Sequence, residues 1–204
     1  MIDQKKIAIR PIDPELASPW ITRKHYARRL PNIMFSFGMF ADSDLVGIVT
    51  YGSPASPNLT VGIAGEENKH LVLELNRLFV EDGIPSTLVS KSLKMLPRPR
   101  IVVSYADTKM GHIGFIYQAS NFFYTGCTKE RTDIFSNGHS RHNHGEKNKR
   151  QHRSAKHRYV YLVGSKIQKR YLKKALNYKP QAYPKGNLKY YETGKEIPKQ
   201  MLLI

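Results

Sequence analysis

An α/β domain with a mixed central sheet is the fold class that the sequence predicts. Short apolar runs of strand length, bounded by turn-forming residues, recur along the chain and predict strands. Helical patterns alternate with these strands only in the second half, so one sheet should contain both parallel and antiparallel neighbours. With 204 residues, of which 40% are hydrophobic, the chain can bury one ordinary core.

The first half of the chain should supply a strand, a helix and a hairpin. Residues Lys5 to Arg10 alternate apolar and polar, which predicts a first strand. Ser18 and Pro19 have the residue types of a helix cap and a first helical position. Two apolar runs, Met34–Phe40 and Leu45–Tyr51, flank a short polar turn and predict a hairpin.

The second half begins with a loop rich in Pro and Ser over residues 52–58 and then alternates the two periodicities. Strands are predicted over residues 71–80, 101–106, 121–127 and 157–163, and helices over residues 86–96, 109–120 and 166–176. One α/β domain is therefore expected over residues 1–177, with a basic insertion at about residues 129–156. From Tyr178 the composition shifts to Tyr, Pro, Lys and Gly, so residues 178–204 should form a C-terminal arm.

Charge indicates the class of partner. The formal net charge is +17 and the pI about 9.9, an imbalance that is typical of proteins that bind nucleic acid. An anionic membrane surface is the weaker alternative, since no long amphipathic basic helix stands apart from the core pattern. No apolar run approaches the ~20 residues of a membrane span. The single cysteine, Cys127, excludes an internal disulfide, and a soluble intracellular protein is expected.

The region from Lys129 to Lys174 carries fourteen Lys or Arg residues against three acids. We interpret it as a loop and helix that neutralise DNA phosphates, although a solvated loop without a specific role is the alternative. His142 and His144 also have the spacing of metal ligands, but a polar loop offers no fixed second shell. The candidate DNA contacts are Arg28, Arg29, Arg141, Lys147, Lys149, Arg150, Arg153, Lys156 and Arg158.

Four side chains that could do chemistry lie at the ends of predicted elements. His25 follows a helix and could act as a general base, a ligand or a surface residue. Tyr51 ends a strand where a Gly-Ser-Pro loop opens, and Asp107 ends a buried strand, where it could orient a base or cap a helix. Tyr117 lies in the next helix, as a core or site residue. We expect these ends to converge on one cleft.

Polar residues interrupt the apolar strand over residues 71–80. Burial of Glu74, Asn76 and Arg77 would be costly without partners, so these residues should be paired or should line a cleft. The next helix offers Ser86 and Thr87 in its first turn, where backbone amides can bind an anion. The candidate residues for binding a small-molecule donor substrate are therefore Asn76, Arg77, Ser86 and Thr87.

Several of these motifs, in this order, resemble the Mom family of phage DNA-modification proteins. They are His25-Tyr26, Tyr51-Gly52-Ser53-Pro54, Leu75-Asn76-Arg77-Leu78 and the stretch Val103–Gly126. The resemblance implies an N-acetyltransferase-like (GNAT) fold with a mixed, mostly antiparallel sheet flanked by helices. It also implies addition of a carbamoylmethyl group to the exocyclic amine of adenine in double-stranded DNA. That modification protects phage DNA from restriction in the host cytoplasm.

The resemblance also implies roles for individual residues. His25, Tyr51, Asp107 and Tyr117 match the implicated residues of the family. An iron requirement has been proposed for the family, and His25 and Asp107 would be its candidate ligands here.

The donor is left open by a departure from the GNAT pattern. Acids and a proline occupy the turn Glu81–Thr87, where GNAT proteins bind the coenzyme A pyrophosphate through backbone amides. Acetyl-CoA and another acyl or glycyl donor, free or on a charged carrier, both remain candidates. Two other functions also stay open, a GNAT-type N-acyltransferase acting on a protein or small amine and a non-catalytic basic DNA-binding protein.

Overall fold

The computed structural model describes residues 7–25, 29–81, 84–134 and 150–186. Its strands are β1 (Ile7–Pro11), β2 (Phe35–Ala41), β3 (Asp44–Gly52), β4 (Val72–Val80), β5 (Arg100–Asp107), β6 (Phe123–Cys127), β7 (Arg131–Ile134), β8 (Arg150–Arg153) and β9 (Lys156–Val163). Its α-helices are α1 (Pro14–Pro19), α2 (Pro57–Asn68), α3 (Pro85–Met95), α4 (Phe115–Ala119) and α5 (Lys166–Ala175). None of the helices within these ranges has the length and apolar character needed to cross a bilayer.

Seven strands form the central sheet, in the order β1-β2-β3-β4-β5-β9-β6. All neighbouring pairs in this sheet are antiparallel except β4 and β5, which are parallel. The predicted α/β class, with a mixed and mostly antiparallel sheet flanked by helices, is thereby confirmed.

The two parallel strands stay together for only a short distance. Their register covers Val72–Glu74 against Ile101–Val103, and it stops there although both strands continue. Beyond that point β4 remains paired with β3, and β5 remains paired with β9 as far as Asp107. The sheet therefore has an opening between the carboxyl-terminal halves of β4 and β5.

Helices cover both faces of the sheet, because each face buries apolar side chains. On one face, which we call the α3 face, Tyr51, Leu88 and Tyr117 share a buried cluster. On the other, which we call the α5 face, Leu172 of α5 belongs to a cluster with α2 and the centre of the sheet. Helix α1 packs on this second face near Ile48.

The first helix begins earlier than predicted. The Asp13 side chain caps it by accepting from the Glu15 amide at 2.8 Å, with Pro14 as the first helical residue. The expectation that Ser18 caps this helix is wrong, because the Ser18 hydroxyl donates to the Pro14 carbonyl one turn back. A π-helical segment, Trp20–Lys24, continues the helix as far as His25.

Helix α2 was not predicted. Its sequence contains two glycines, and Gly65 takes a left-handed φ of 73°, which weakens the helical pattern. Packing supplies what propensity lacks, since Ile63 and Ala64 are buried in the cluster of the α5 face.

The predicted continuous helix over residues 109–120 is wrong. A 3-10 turn over Thr108–Met110 is separated from α4 by Gly111 and Gly114, which have left-handed φ values of 68° and 78°. A side chain at Gly114 would also overlap the ring of Tyr159. The chain therefore turns sharply between Asp107 and Tyr117.

The basic insertion is not a loop at its two ends. Strands β7 and β8 pair antiparallel there as a separate two-stranded sheet, while the residues between them lie outside the described ranges. The first residues of the C-terminal arm lie along β6. The Gln181 amide donates to the Tyr124 carbonyl at 2.8 Å, and the Tyr183 hydroxyl donates to the Phe122 carbonyl at 2.8 Å.

Candidate active site

A β-bulge in β4 shapes one border of the opening. Thr50 is opposite Arg77 and Tyr51 is opposite Leu75, so Asn76 is an extra residue. The Asn76 side chain accepts from the Thr50 hydroxyl at 2.6 Å and donates to the Asn32 carbonyl at 2.8 Å. Asn76, a predicted donor-binding residue, thus uses its amide to hold the bulge.

Arg77 and His25 lie next to each other on the α5 face. The Arg77 guanidinium donates to the Arg29 carbonyl at 2.8 Å and to the Asn76 carbonyl at 2.5 Å. His25 follows the π-helical segment, and only 2% of its surface is exposed. Burial, reinforced by the nearby Arg77 charge, lowers the pKa of His25 from 6.5 to about 3. Its imidazole is therefore neutral at physiological pH.

Asp107 ends β5 in a network of donors. Its carboxylate is in an ion pair with Lys156, the residue opposite it on β9, and accepts from Ser154 at 2.5 Å. It also accepts from the Lys109 amide at 3.0 Å. Burial alone would raise the pKa of this carboxyl, but hydrogen bonds from Lys156 and Ser154 outweigh it and hold the pKa below its ordinary value. Asp107 is therefore ionised.

Tyr51 and Tyr117 are buried on the α3 face. The Tyr51 hydroxyl is 2.7 Å from the Ser92 hydroxyl of α3, and burial raises the pKa of Tyr51. The Tyr117 ring packs against Phe122 and Tyr159, with centroid separations of 5.4 Å in both cases. Both rings therefore lie inside the core, and the Tyr51 phenol stays protonated there.

The four residues expected in one cleft divide between the two faces of the sheet. Arg77, beside His25, lies on the same face as Thr50, and the pair Asp107–Lys156 lies on the face of the buried pair Val103–Val160. Both belong to the α5 face, whereas Tyr51 and Tyr117 belong to the α3 face.

The first turn of α3 offers few donors to an anion. Pro85 has no amide hydrogen, and the Thr87 amide donates to the Ile84 carbonyl at 2.9 Å. Ile84, without a side-chain hydrogen bond, occupies the cap position ahead of Ser86. Glu81, just before this turn, is in an ion pair with Lys24 at 2.6 Å.

The residues present do not fit the metal that the resemblance implied. Within the ranges that the structure describes, no group of three or more His, Cys, Asp or Glu side chains could hold a metal ion. His25 lies beside the Arg77 cation, and the Asp107 oxygens accept hydrogen bonds from Lys156 and Ser154. The assignment of His25 and Asp107 as iron ligands is therefore not supported.

The predicted DNA contacts have different surroundings. Arg29 is exposed. Arg158 is 8% exposed; its guanidinium donates to Thr125 and lies 3.3 Å from the ring centroid of Tyr178, which fits a structural role. Lys156 is in an ion pair with Asp107, and Arg153 is half-buried. Outside the described ranges lie Arg28, Arg141, Lys147, Lys149 and the histidines His142 and His144, and the Arg150 side chain is likewise not described.

Sequence reasoning missed Ser92, which reaches Tyr51 from helix α3. It predicted Lys156 as a DNA contact, whereas the β5–β9 register pairs this residue with Asp107. Tyr105 could have been found, because it is a polar-tipped residue within an apolar strand, two positions before Asp107. Exposed cations of α5 were predicted only as a basic helix: Lys166, Lys169, Arg170, Lys173 and Lys174.

The chain is similar to several solved structures at low sequence identity. Among solved structures, NAA60 of Arabidopsis thaliana in complex with acetyl-CoA is 16% identical, with 77% of this chain and 99% of that chain covered and a TM-score of 0.48. Spermidine N-acetyltransferase of Vibrio cholerae is 12% identical, with 84% and 99% covered and a TM-score of 0.49.

A relative by sequence is methylcarbamoylase mom of Escherichia phage Mu, 34% identical over 131 residues. The match includes 60% of this chain and 54% of that protein, so the chain spans about half the length of its curated relative. The sequence model of the Mom protein family matches residues 6–185. Since this match includes all of the sheet and both borders of its opening, the chain belongs to the Mom protein family.

Proposed function

We propose that this protein is a phage-type DNA-modification transferase that adds a carbamoylmethyl group to the exocyclic amine of adenine. Membership of the Mom family supports DNA modification as the general function. The observation that carries the specific proposal is the position of the His25 imidazole beside Arg77, on the same face of the sheet as the exposed cations of α5. A side chain with a basic nitrogen thus lies under the face that a polyanion would approach.

His25 is proposed to assist the attacking amine. The adenine amine is a poor nucleophile because its lone pair is delocalised into the ring. As the bond between this nitrogen and the donor carbon forms and the leaving group departs, a proton must leave the nitrogen. The nitrogen becomes strongly acidic as it gains positive charge, so a neutral imidazole within hydrogen-bonding reach can accept its proton although burial makes that imidazole a weak base.

Asp107, Tyr51 and Tyr117 are proposed to position the site. Asp107 fixes Lys156 and Ser154 at the end of β5, which sets the far border of the opening. Tyr51 and Tyr117 support the opening from the α3 face, since both phenols are enclosed there. Arg77, whose guanidinium is held by two carbonyls, is proposed to orient the donor.

The DNA is proposed to approach the α5 face. Helix α5 carries exposed cations and no acid, and it packs on the face that also carries Arg77. Contacts between these cations and phosphates would hold the duplex without reading its sequence. The target base would then leave the stack to bring its amine to the opening. Such a reaction would take place in the cytoplasm of the host cell.

The donor is proposed to be a small acyl or glycyl donor, free or on a charged carrier. The first turn of α3 weakens the case for coenzyme A, because Pro85 lacks an amide hydrogen and the Thr87 amide is already bonded. Calorimetry with coenzyme A tests this point, and tight binding would favour an N-acyltransferase acting on a protein or small amine.

The decisive experiment identifies the product without assuming a donor. The protein is expressed in bacteria with a plasmid, and the plasmid DNA is digested to nucleosides for mass spectrometry. We expect deoxyadenosine carrying the added mass of a carbamoylmethyl group, and we expect it to be absent from cells that carry the empty vector. If only unmodified adenine is found while a Mom relative expressed in parallel yields the adduct, the proposed reaction is wrong.

A further inference from the structure

A buried phenol hydroxyl lies without a protein partner beside the opening. The Tyr105 hydroxyl oxygen is shielded from solvent, and within the described part of the chain no group donates to it or accepts from it. Burying a hydroxyl unpaired is unfavourable, so such groups call for a specific explanation. A bound ligand that supplies the missing hydrogen bond is one explanation with a testable chemistry.

The β-register brings a carboxylate to the same place. Glu74 is opposite Val103, at the last pair before β4 and β5 separate, and Tyr105 is two residues further along β5. Residues two apart on a strand point to the same face, so Glu74 and Tyr105 share the α5 face at the start of the opening. Burial raises the pKa of the Tyr105 phenol, and the Glu74 carboxylate raises it further, as expected for neighbouring groups.

The other side of Tyr105 is closed by a cation and a ring. Arg158 is directly opposite Tyr105 on β9, and its guanidinium stacks on the Tyr178 ring at 3.3 Å. The guanidinium already donates to Thr125, which leaves the Tyr105 hydroxyl free to bond a ligand. Tyr105 therefore offers a hydroxyl donor, next to the Glu74 carboxylate, whose two oxygens can accept several hydrogen bonds at once.

We propose that Tyr105 and Glu74 bind the amine edge of the target base, with Tyr105 donating to the ring nitrogen N1 and Glu74 accepting from the N6 amine. This deepens the proposed function and rests on it for the identity of the base. The N6 amine of adenine is a donor and the neighbouring N1 is an acceptor. They match the Glu74 carboxylate, which accepts, and the Tyr105 hydroxyl, which donates. Hypoxanthine presents the reversed pattern, a carbonyl acceptor beside an N1–H donor, and should bind poorly.

A nucleobase is favoured over the donor as occupant because of the face on which these groups lie. Glu74 and Tyr105 are on the α5 face, which also carries Arg77 and the exposed cations of α5. DNA drawn to those cations delivers its extruded base from the same side.

The test measures binding of deoxyadenosine and deoxyinosine monophosphates by NMR titration, without any donor. Wild-type protein should prefer the adenine nucleotide by about tenfold, as for a well-placed pair of hydrogen bonds. Tyr105→Phe should lose most of that preference without a lower melting temperature, since the hydroxyl has no partner in the free protein. Glu74→Gln should shift the preference toward hypoxanthine, because an amide can donate to its carbonyl.

The matched control is Tyr183→Phe, which removes a hydroxyl that donates to the Phe122 carbonyl. It should lower the melting temperature and leave the nucleotide preference unchanged. Equal binding of the two nucleotides by wild-type protein, or an unchanged preference in both Tyr105→Phe and Glu74→Gln, would overturn the inference. A clear adenine preference in a protein that forms no DNA adduct would keep this site and reject the proposed transferase.

Discussion

The two faces of the sheet use polar side chains in opposite ways at the β4–β5 opening. On the α3 face, the Tyr51 and Tyr117 phenols are enclosed, and Tyr51 is bonded to Ser92. On the α5 face, His25 is neutral and Asp107 is ionised, and cations lie close to both. The difference teaches that the side of the strand from which a polar residue projects decides its surroundings: an enclosed core on the α3 face, and neighbouring cations on the α5 face.

The largest expected effect is a loss of stability when the core packing of the α3 face is disturbed. Tyr117→Ala removes a ring that is 2% exposed and packed against Phe122 and Tyr159, so it should cost about 3–5 kcal/mol of unfolding free energy. Urea denaturation measures this loss. Tyr117→Phe keeps the ring and should lose far less than Tyr117→Ala, and a similar loss in both variants would contradict the assignment of Tyr117 as core support.

A change at Asp107, on the α5 face, should affect the amount of DNA adduct more than the stability of the protein. Asp107→Asn keeps the shape but removes the charge that holds Lys156, so the DNA adduct should fall about 100-fold as the site loses its alignment. Quantitative mass spectrometry of plasmid nucleosides measures the adduct, and DNA affinity should change less than about twofold.

The matched control for Asp107 is Glu130→Gln, which removes an acid from an exposed pair with His152. It should leave the adduct level unchanged, because exposed pairs contribute little to structure. A normal adduct level in Asp107→Asn would show that this carboxylate does not position the site.

Protonation of His25 should have an intermediate effect on the free energy of unfolding. The lowered pKa of His25 determines that the protein becomes less stable as the pH falls. Below pH 6.5 the unfolded chain binds a proton that the folded protein binds only near pH 3, so stability is lost as pH falls between these values. From neutral pH to about pH 5 the loss should be about 2 kcal/mol. His25→Asn should lose that much less than wild type in urea denaturation over the same pH range, and parallel curves would contradict a buried neutral imidazole.

The smallest effect is expected on DNA affinity when exposed cations of α5 are removed. Replacing Arg170 and Lys174 of α5 by Ala should reduce the slope of log affinity against log salt by about 2, one for each lost phosphate contact. Fluorescence anisotropy with a DNA duplex measures this slope. The same change at Lys91 and Lys94, exposed on α3, should leave the slope unchanged. If the two pairs behave alike, DNA does not select the α5 face.

Local patterns were sufficient wherever one strand or helix determined its own structure. The hairpin of β2 and β3, the strand β4 and the helix α3 were predicted close to their observed bounds, since alternation and proline positions are local signals. Helix α2 was missed because its glycines hide a pattern that only burial against the sheet stabilises.

The arrangement of the site could not be predicted from periodicity. Glu74 and Arg77 are three residues apart, which strict alternation would place on opposite faces of β4. The extra residue Asn76 restores them to the same face, because a bulge shifts the phase of every side chain beyond it. We predicted a single cleft holding His25, Tyr51, Asp107 and Tyr117 without knowing the strand register, which decides the face of each side chain.

The sequence by itself determined the fold class, the excess of positive charge and the order of the motifs that mark the Mom family, because these are properties of the chain read in order. Only the tertiary structure decided which side chains meet. The pair Asp107–Lys156 and the pair Tyr51–Ser92 each join residues more than 40 positions apart. Such contacts depend on strand order, register and one bulge, which arise when the whole sheet forms and have no signature in any short stretch.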